Sequence, residues 1–117
     1  MSRRTDRVGE AIQELVARLL LREIKDPRIG LVTITAVRVS PDLRHARVFF
    51  STLGDDEQRV RSLRGLRSAA GFIRGQIARQ LNLRVAPEVA FEFDPSLEEA
   101  ERLSRLLKES PPSGEQS

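Results

Sequence analysis

The segment that constrains the fold most has the composition of two neighbouring β-strands. Residues 31–40 and 43–53 are rich in apolar and β-branched side chains, which favour extended backbone. Between them stands Ser40-Pro41-Asp42. Proline fixes one backbone dihedral there, and the Ser or Asp side chain can hydrogen-bond the local backbone, so the tripeptide is a turn signal. The sequence therefore predicts a β-hairpin.

Helical periodicity flanks the hairpin on both sides. Before it, apolar residues recur at three- and four-residue spacing from Thr5 or Asp6 onward, and Pro27 ends this helix because a proline pushes the preceding residue out of helical backbone. After it, a second helix opens near Asp56, and its apolar side chains form two groups: Val60, Leu63, Leu66 and Ala70, then Phe72, Ile73, Ile77 and Leu81. The second group fits a stripe rotated by roughly 70° from the first. We therefore predict that this helix kinks or restarts near Gly71.

A third strand and a last helix complete the pattern. Residues 83–94 alternate apolar and polar side chains, and Pro87 indicates that this strand lies at an edge or carries a bulge. After Pro95, Ser96 and Glu99 form a capping box that begins the last helix. The element order is α-β-β-α-kink-α-β-α.

Chain length and composition bound the domain organisation. The 117 residues match the common size of one domain, and the sequence shows no internal repeat or inter-domain linker. Residues 110–117 contain two prolines, a glycine and no large apolar side chain. We expect one α+β domain over residues 1–109 and a disordered tail over residues 110–117.

Acidic residues are missing from one part of the chain, although the net charge is only +3. Residues 58–87 hold seven arginines and no Asp or Glu, whereas residues 88–117 hold three basic and eight acidic side chains. On a helical wheel, arginines and small residues of the acid-free segment fall within about 80° of one another. They are Arg61, Arg64, Ser68, Gly71, Gly75, Arg79 and Asn82.

The charge pattern alone leaves two interpretations of this face open. A phosphate backbone could approach it closely, with guanidinium groups forking onto phosphate oxygens from either side. Alternatively, arginine serves only solubility, and Ser68, Gly71 and Gly75 let another segment of the chain pack closely.

Several functional classes find no support in the sequence. The absence of cysteine excludes disulfides, thiolate nucleophiles and sulfur-ligated zinc. His45 is the only histidine, and there is no Gly-rich phosphate loop, serine elbow or His-Glu-x-x-His motif. The N-terminus lacks the apolar stretch of a secretory signal, and no apolar run is long enough to span a membrane. We expect a cytoplasmic protein with no catalytic residue, no metal and no cofactor.

Four separated motifs stand out along the chain: Lys25-Asp26-Pro27-Arg28-Ile29-Gly30 with Val32-Thr33-Ile34-Thr35, Val39-Ser40-Pro41-Asp42-Leu43, Ala69-Ala70-Gly71-Phe72-Ile73-Arg74, and Leu83-Arg84-Val85-Ala86-Pro87-Glu88-Val89-Ala90-Phe91 with Asp94-Pro95-Ser96. With these motifs in this order, the sequence resembles the ribosome-binding factor A family over roughly residues 3–108.

The resemblance implies a type II KH-like fold, in which a three-stranded sheet is backed by helices. It also implies binding to the free small (30S) ribosomal subunit and to 16S rRNA during late rRNA maturation, and a link to growth at low temperature. The family's Ala-x-Gly kink maps to Ala69, Ala70 and Gly71. This sequence has no Gly-x-x-Gly clamp of the ordinary KH domain, which favours recognition of RNA shape and phosphates.

The leading hypothesis is a monomeric, non-catalytic RNA-binding module. Its predicted RNA contacts are Arg61, Arg64, Arg67, Ser68, Gly71, Arg74, Arg79 and Arg84. Secondary contacts are expected from Arg3, Arg4, Arg18, Arg22 and Lys25. The alternatives are a protein-interaction module that binds an acidic partner and a small enzyme, for which no catalytic residue stands out.

Overall fold

The computed structural model describes residues 3–109 and confirms the α+β class. Its elements are α1 (Arg3–Arg22), β1 (Val32–Val39), β2 (His45–Thr52), α2 (Asp56–Gln80), β3 (Glu88–Phe93) and α3 (Ser96–Glu109). The tail expected at residues 110–117 lies outside the described residues.

The sheet has the strand order β1-β2-β3. β1 and β2 pair antiparallel and form the predicted hairpin, and β2 pairs parallel with β3. The register shifts between Ile34 and Ala36, which marks an irregularity in β1. β3 is an edge strand, as predicted, but it begins only at Glu88, because residues 83–87 form a connecting loop.

The core lies between one face of the sheet and helices α1 and α2. The apolar stripe of α1 is buried at Ile12, Leu15, Val16 and Leu19, as its periodicity predicted. Phe50 is fully buried at the centre of the sheet, and its ring meets that of Phe93 edge-on with centroids 5.8 Å apart. Burying an aliphatic or aromatic side chain of this size stabilises the fold by roughly 1.5–3 kcal/mol.

The predicted rotation between two apolar stripes of α2 is wrong, although most of the residues assigned to them are buried or pack against the core. The buried positions of α2, together with the half-buried apolar ones that pack against the core, form one stripe within about 160°: Ser62, Leu63, Gly65, Leu66, Ala69, Ala70, Ile73 and Ile77. Val60 and Phe72, which suggested the rotation, are 48% and 45% exposed. α2 is one helix across Ala69, Ala70 and Gly71, so it does not restart there, and a bend of its axis at these residues stays a prediction.

The single stripe was not predicted because a glycine and a serine, which are not apolar residues, form part of the contact between α2 and the rest of the fold. Ile29, in the loop before β1, packs against Gly65 so closely that a Cβ there would lie 2.6 Å from Ile29 Cγ1. Ser62 is fully buried, and its hydroxyl accepts hydrogen bonds from Gly30 N and from the Gln58 side chain. Hydrophobicity alone does not mark either residue as interior.

Candidate nucleic-acid interface

The outer face of α2 lies opposite the buried stripe and is exposed. It comprises Arg61, Arg64, Ser68, Gly71, Gly75 and Arg79, and we call it the α2 outer face. Asn82 lies beyond the end of the helix, with φ 58°, and is not part of it.

The small residues of this face leave open space. Among the residues that the structure describes, nothing lies within 4 Å of a Cβ added at Gly71 or at Gly75. The interpretation that another segment of the chain packs closely is therefore wrong at Gly71 and Gly75 for residues 3–109, whereas Ser68 does contact another segment through Arg28. An external group can reach the helix backbone at both positions.

Arg28 extends the α2 outer face and was missed by the sequence prediction. Its guanidinium nitrogen Nη2 donates to Asp26 at 2.6 Å and to the Ser68 hydroxyl at 3.0 Å. The bidentate pair with Arg28 lowers the pKa of Asp26 to about 2, so Asp26 stays ionised at neutral pH. The Lys25 to Gly30 motif was the available signal, but nothing in it indicated a contact with α2.

The arginines of the acid-free segment are not all unpaired. Arg59 forms an ion pair with Asp56, and its guanidinium lies 4.1 Å from the ring centroid of Phe93. The partner was overlooked because Asp56 lies just outside the segment, although it is the first residue of α2. The other six arginines of residues 58–87 take part in no ion pair within residues 3–109.

Three predicted contacts stand apart from the α2 outer face. Arg67 is exposed on its flank, about 60° around the helix from Arg64. Arg74 is half-buried and turned toward the loop before β3, where it donates to Pro87 O at 3.0 Å and to Ala86 O at 3.3 Å. Arg84 lies past the helix C-terminus, on that same loop.

The predicted secondary contacts fall in different places. Lys25 lines a shallow cleft with Ser68 and Phe72, beside the α2 outer face. Arg4 lines a second cleft with Arg84, near the end of α2. The remaining three are exposed on α1: Arg3, Arg18 and Arg22.

Residues 3–109 contain no group of three or more His, Asp or Glu side chains that could hold a metal ion. The described helices also include none that is long and apolar enough to cross a membrane. The lowered pKa values of Asp26 and Asp94 follow from hydrogen bonds, to Asp26 from Arg28 and to Asp94 from Ser96 and Thr35, so both carboxylates have structural partners.

Comparison with known proteins gives consistent results. The family model of ribosome-binding factor A matches residues 4–107. The ribosome-binding factor A of Geobacter metallireducens is 50% identical over 109 residues, which cover 93% of this chain and 92% of that protein. The counterpart from Citrifermentans bemidjiense is 45% identical, with both chains covered completely.

Solved structures agree with the sequence relatives. The solution NMR structure of a candidate ribosome binding factor A from Thermotoga maritima is 37% identical, with a TM-score of 0.71, and the match covers 79% of this chain and 88% of that one. Thermus thermophilus RbfA, as a homology model fitted into a cryo-EM map of a 30S–RbfA complex, is 25% identical, with a TM-score of 0.58 and coverage of 82% and 97%. The chain described here belongs to the ribosome-binding factor A family.

Proposed function

We propose that this chain binds the free small ribosomal subunit as a monomer, through 16S rRNA, and assists late maturation of that RNA without catalysing a reaction. The observation that carries the proposal is the α2 outer face, where exposed arginines flank two glycines with open space above them. The Thermus relative, described in a complex with the 30S subunit, supports the choice of partner.

The spacing of the arginines suits an RNA backbone. Arg61 and Arg79 are eighteen residues apart, which is about 27 Å along a helix. Guanidinium groups bind phosphate oxygens in a bidentate fork, and the bare backbone at Gly71 and Gly75 lets a phosphate come close. The face therefore fits a stretch of folded RNA rather than a single nucleotide.

The mechanism requires no chemistry. A protein that binds one arrangement of an RNA more tightly than another shifts the population toward the first. Because contacts to phosphates carry no direct sequence information, selection of the site rests on the shape of the RNA. We propose that the α2 outer face stabilises one such arrangement of 16S rRNA.

The experiment is charge reversal on the α2 outer face. The variant R64E/R79E should bind purified 30S subunits at least about tenfold more weakly than the wild type, because two phosphate contacts become repulsive. The matched control is R102E/R105E on α3, whose arginines are also exposed. Equal losses from both variants, measured by co-sedimentation, would contradict the site.

Salt dependence tests the electrostatic part separately. With four to six phosphate contacts, log affinity should fall with log salt at a slope of about −3 to −5. A slope near zero would rule out binding through phosphates. Pull-downs with and without nuclease distinguish the protein-interaction alternative, since partners retained after RNA digestion would favour it.

The maturation part is tested in cells. A strain in which R64E/R79E replaces the wild-type protein should accumulate unprocessed 16S rRNA and grow poorly at low temperature. The R102E/R105E strain should do neither, and normal processing in both strains would refute an assisting role.

A further inference from the structure

A basic cleft lies at the end of α2, where three segments that are distant in sequence meet. Its volume is about 260 Å³. The lining arginines are Arg4 from α1, Arg44 from the β1–β2 turn and Arg84 from the loop between α2 and β3. All three side chains are exposed. We call this site the three-arginine cleft.

The backbone that carries Arg44 is fixed by a compact turn. Asp42 accepts a hydrogen bond from Arg44 N at 3.0 Å, and His45 N donates to the Ser40 hydroxyl at 3.0 Å. Arg44 O accepts from Glu88 N at 2.7 Å, which ties the turn to the start of β3. Leu43 has φ 61°, a left-handed conformation that only such a constrained turn makes favourable for leucine. The backbone at Arg44 is therefore held in place by hydrogen bonds on both sides.

The loop that carries Arg84 is held from both ends. Leu83 N donates to Ala78 O at 3.0 Å, directly after the left-handed residue Asn82. On the other side, the Arg74 guanidinium binds the carbonyl oxygens of Ala86 and Pro87. Arg74 thus positions the loop from inside the fold, and Arg84 faces the cleft.

The positive charge of the cleft is not neutralised within the described chain. None of its three arginines takes part in an ion pair among residues 3–109. Asp42 is the one carboxylate among the lining residues, and its oxygen already accepts from the Ser40 hydroxyl at 2.7 Å and from Arg44 N. The cleft keeps a net charge of +2, with the carboxylate engaged by the turn.

We propose that the three-arginine cleft is a second phosphate-binding site, separate from the α2 outer face, and that it takes a backbone phosphate of the RNA. The three guanidinium groups come from three separate segments of the chain, and they can donate hydrogen bonds to the oxygens of one phosphate or of two neighbouring phosphates. The inference rests on the proposed function, because it takes the RNA bound by α2 to continue past the helix C-terminus. Two separated phosphate sites on one rigid domain would fix the orientation of the RNA as well as hold it.

The first test is R44Q/R84Q, compared with R64Q/R79Q and with the control R102Q/R105Q. The cleft variant should bind 30S subunits about tenfold more weakly, and the magnitude of its salt slope should fall by about 1.5, since two phosphate contacts are lost. Wild-type affinity and slope in R44Q/R84Q would overturn the cleft. If R64Q/R79Q bound 30S subunits weakly in the same experiment, the proposed function of the α2 outer face would be retained although the proposal for the three-arginine cleft had failed.

The second test separates RNA phosphate from a free anion. Inorganic phosphate is titrated into the isolated protein while amide NMR signals are followed. Shifts at residues 42–44 and 82–85 that vanish in R44Q/R84Q, together with the weaker 30S binding of that variant, support the inference. The same shifts with unchanged 30S binding would mean a site for small anions unrelated to RNA, and would overturn it.

Discussion

The guanidinium of Arg28 donates a hydrogen bond to the hydroxyl of Ser68 across 3.0 Å, which ties the loop before β1 to the α2 outer face. The same guanidinium holds Asp26 in a bidentate pair, and Ile29, one residue further on, packs against Gly65. The loop is thus attached to α2 by a polar contact on the surface and an apolar contact beneath it. A change in this loop is therefore expected to affect the α2 outer face.

The contribution of Asp26 to stability should depend on pH. Its pKa in the folded protein is about 2, below its ordinary value of 3.8, so ionised Asp26 stabilises the fold above pH 4 and this stabilisation is lost as the pH falls toward 2. D26N should be less stable than the wild type at pH 7, and the difference should shrink between pH 4 and pH 2. Urea denaturation across this range measures it. A difference that is constant with pH would contradict the ion pair, and E98Q on the exposed face of α3 is the control.

Phe72 and Ile73 are neighbours in the sequence but should differ sharply in their effect on stability. Ile73 is fully buried, whereas Phe72 is 45% exposed. I73A should lower the free energy of unfolding by about 2–5 kcal/mol, because it leaves a cavity. F72A should cost no more than about 1 kcal/mol. Equal costs in urea denaturation would show that Phe72 lies in the core, as the two-stripe interpretation of the sequence required.

The contrast between α1 and α2 shows what the sequence could predict. Ile12 and Val16 mark the buried face of α1 because apolar side chains fill most of it, although Thr5 and Gly9 are also buried near its N-terminal end. On α2, Ser62 and Gly65 occupy the buried stripe, and they are buried by the loop that precedes the hairpin and packs against the helix. Since that packing is a long-range contact, no local periodicity in the sequence reveals it.

The same distinction between local and long-range contacts separates the two parts of the candidate site. The α2 outer face was predictable because all its members belong to one regular helix, whose geometry fixes their angles. The three-arginine cleft was not, because Arg4, Arg44 and Arg84 converge only through a turn and a loop with left-handed residues. Arg74 was assigned to RNA for its charge, whereas its bonds to two carbonyl oxygens depend on where the chain returns to the sheet.

Alanine at Gly71 and at Gly65 should have opposite effects on stability. A Cβ at Gly71 meets nothing within 4 Å in the part of the chain that is described, so G71A should stabilise α2 by about 0.5–1 kcal/mol through helix propensity. A Cβ at Gly65 would collide with Ile29, so G65A should destabilise by about 1–3 kcal/mol. Thermal unfolding measures both.

Substitution of Gly71 can also be tested by its effect on 30S binding. Because a phosphate is proposed to approach the bare backbone at Gly71, G71L should weaken 30S binding while the domain stays folded. L103A, an exposed position on α3, is the control. Unchanged binding of G71L in co-sedimentation would mean that the RNA does not approach the helix at this residue.

Arg74 should act on RNA binding only through Arg84. R74M keeps the apolar stem but leaves the carbonyl oxygens of Ala86 and Pro87 without their donor, so we expect a loss of about 1–2 kcal/mol in stability. It should also weaken 30S binding, because the loop that carries Arg84 loosens. A double-mutant cycle decides the mechanism. If Arg74 positions Arg84, adding R74M to R84Q should cost almost no further affinity, whereas full additivity of the two losses would show that Arg74 contacts the RNA itself.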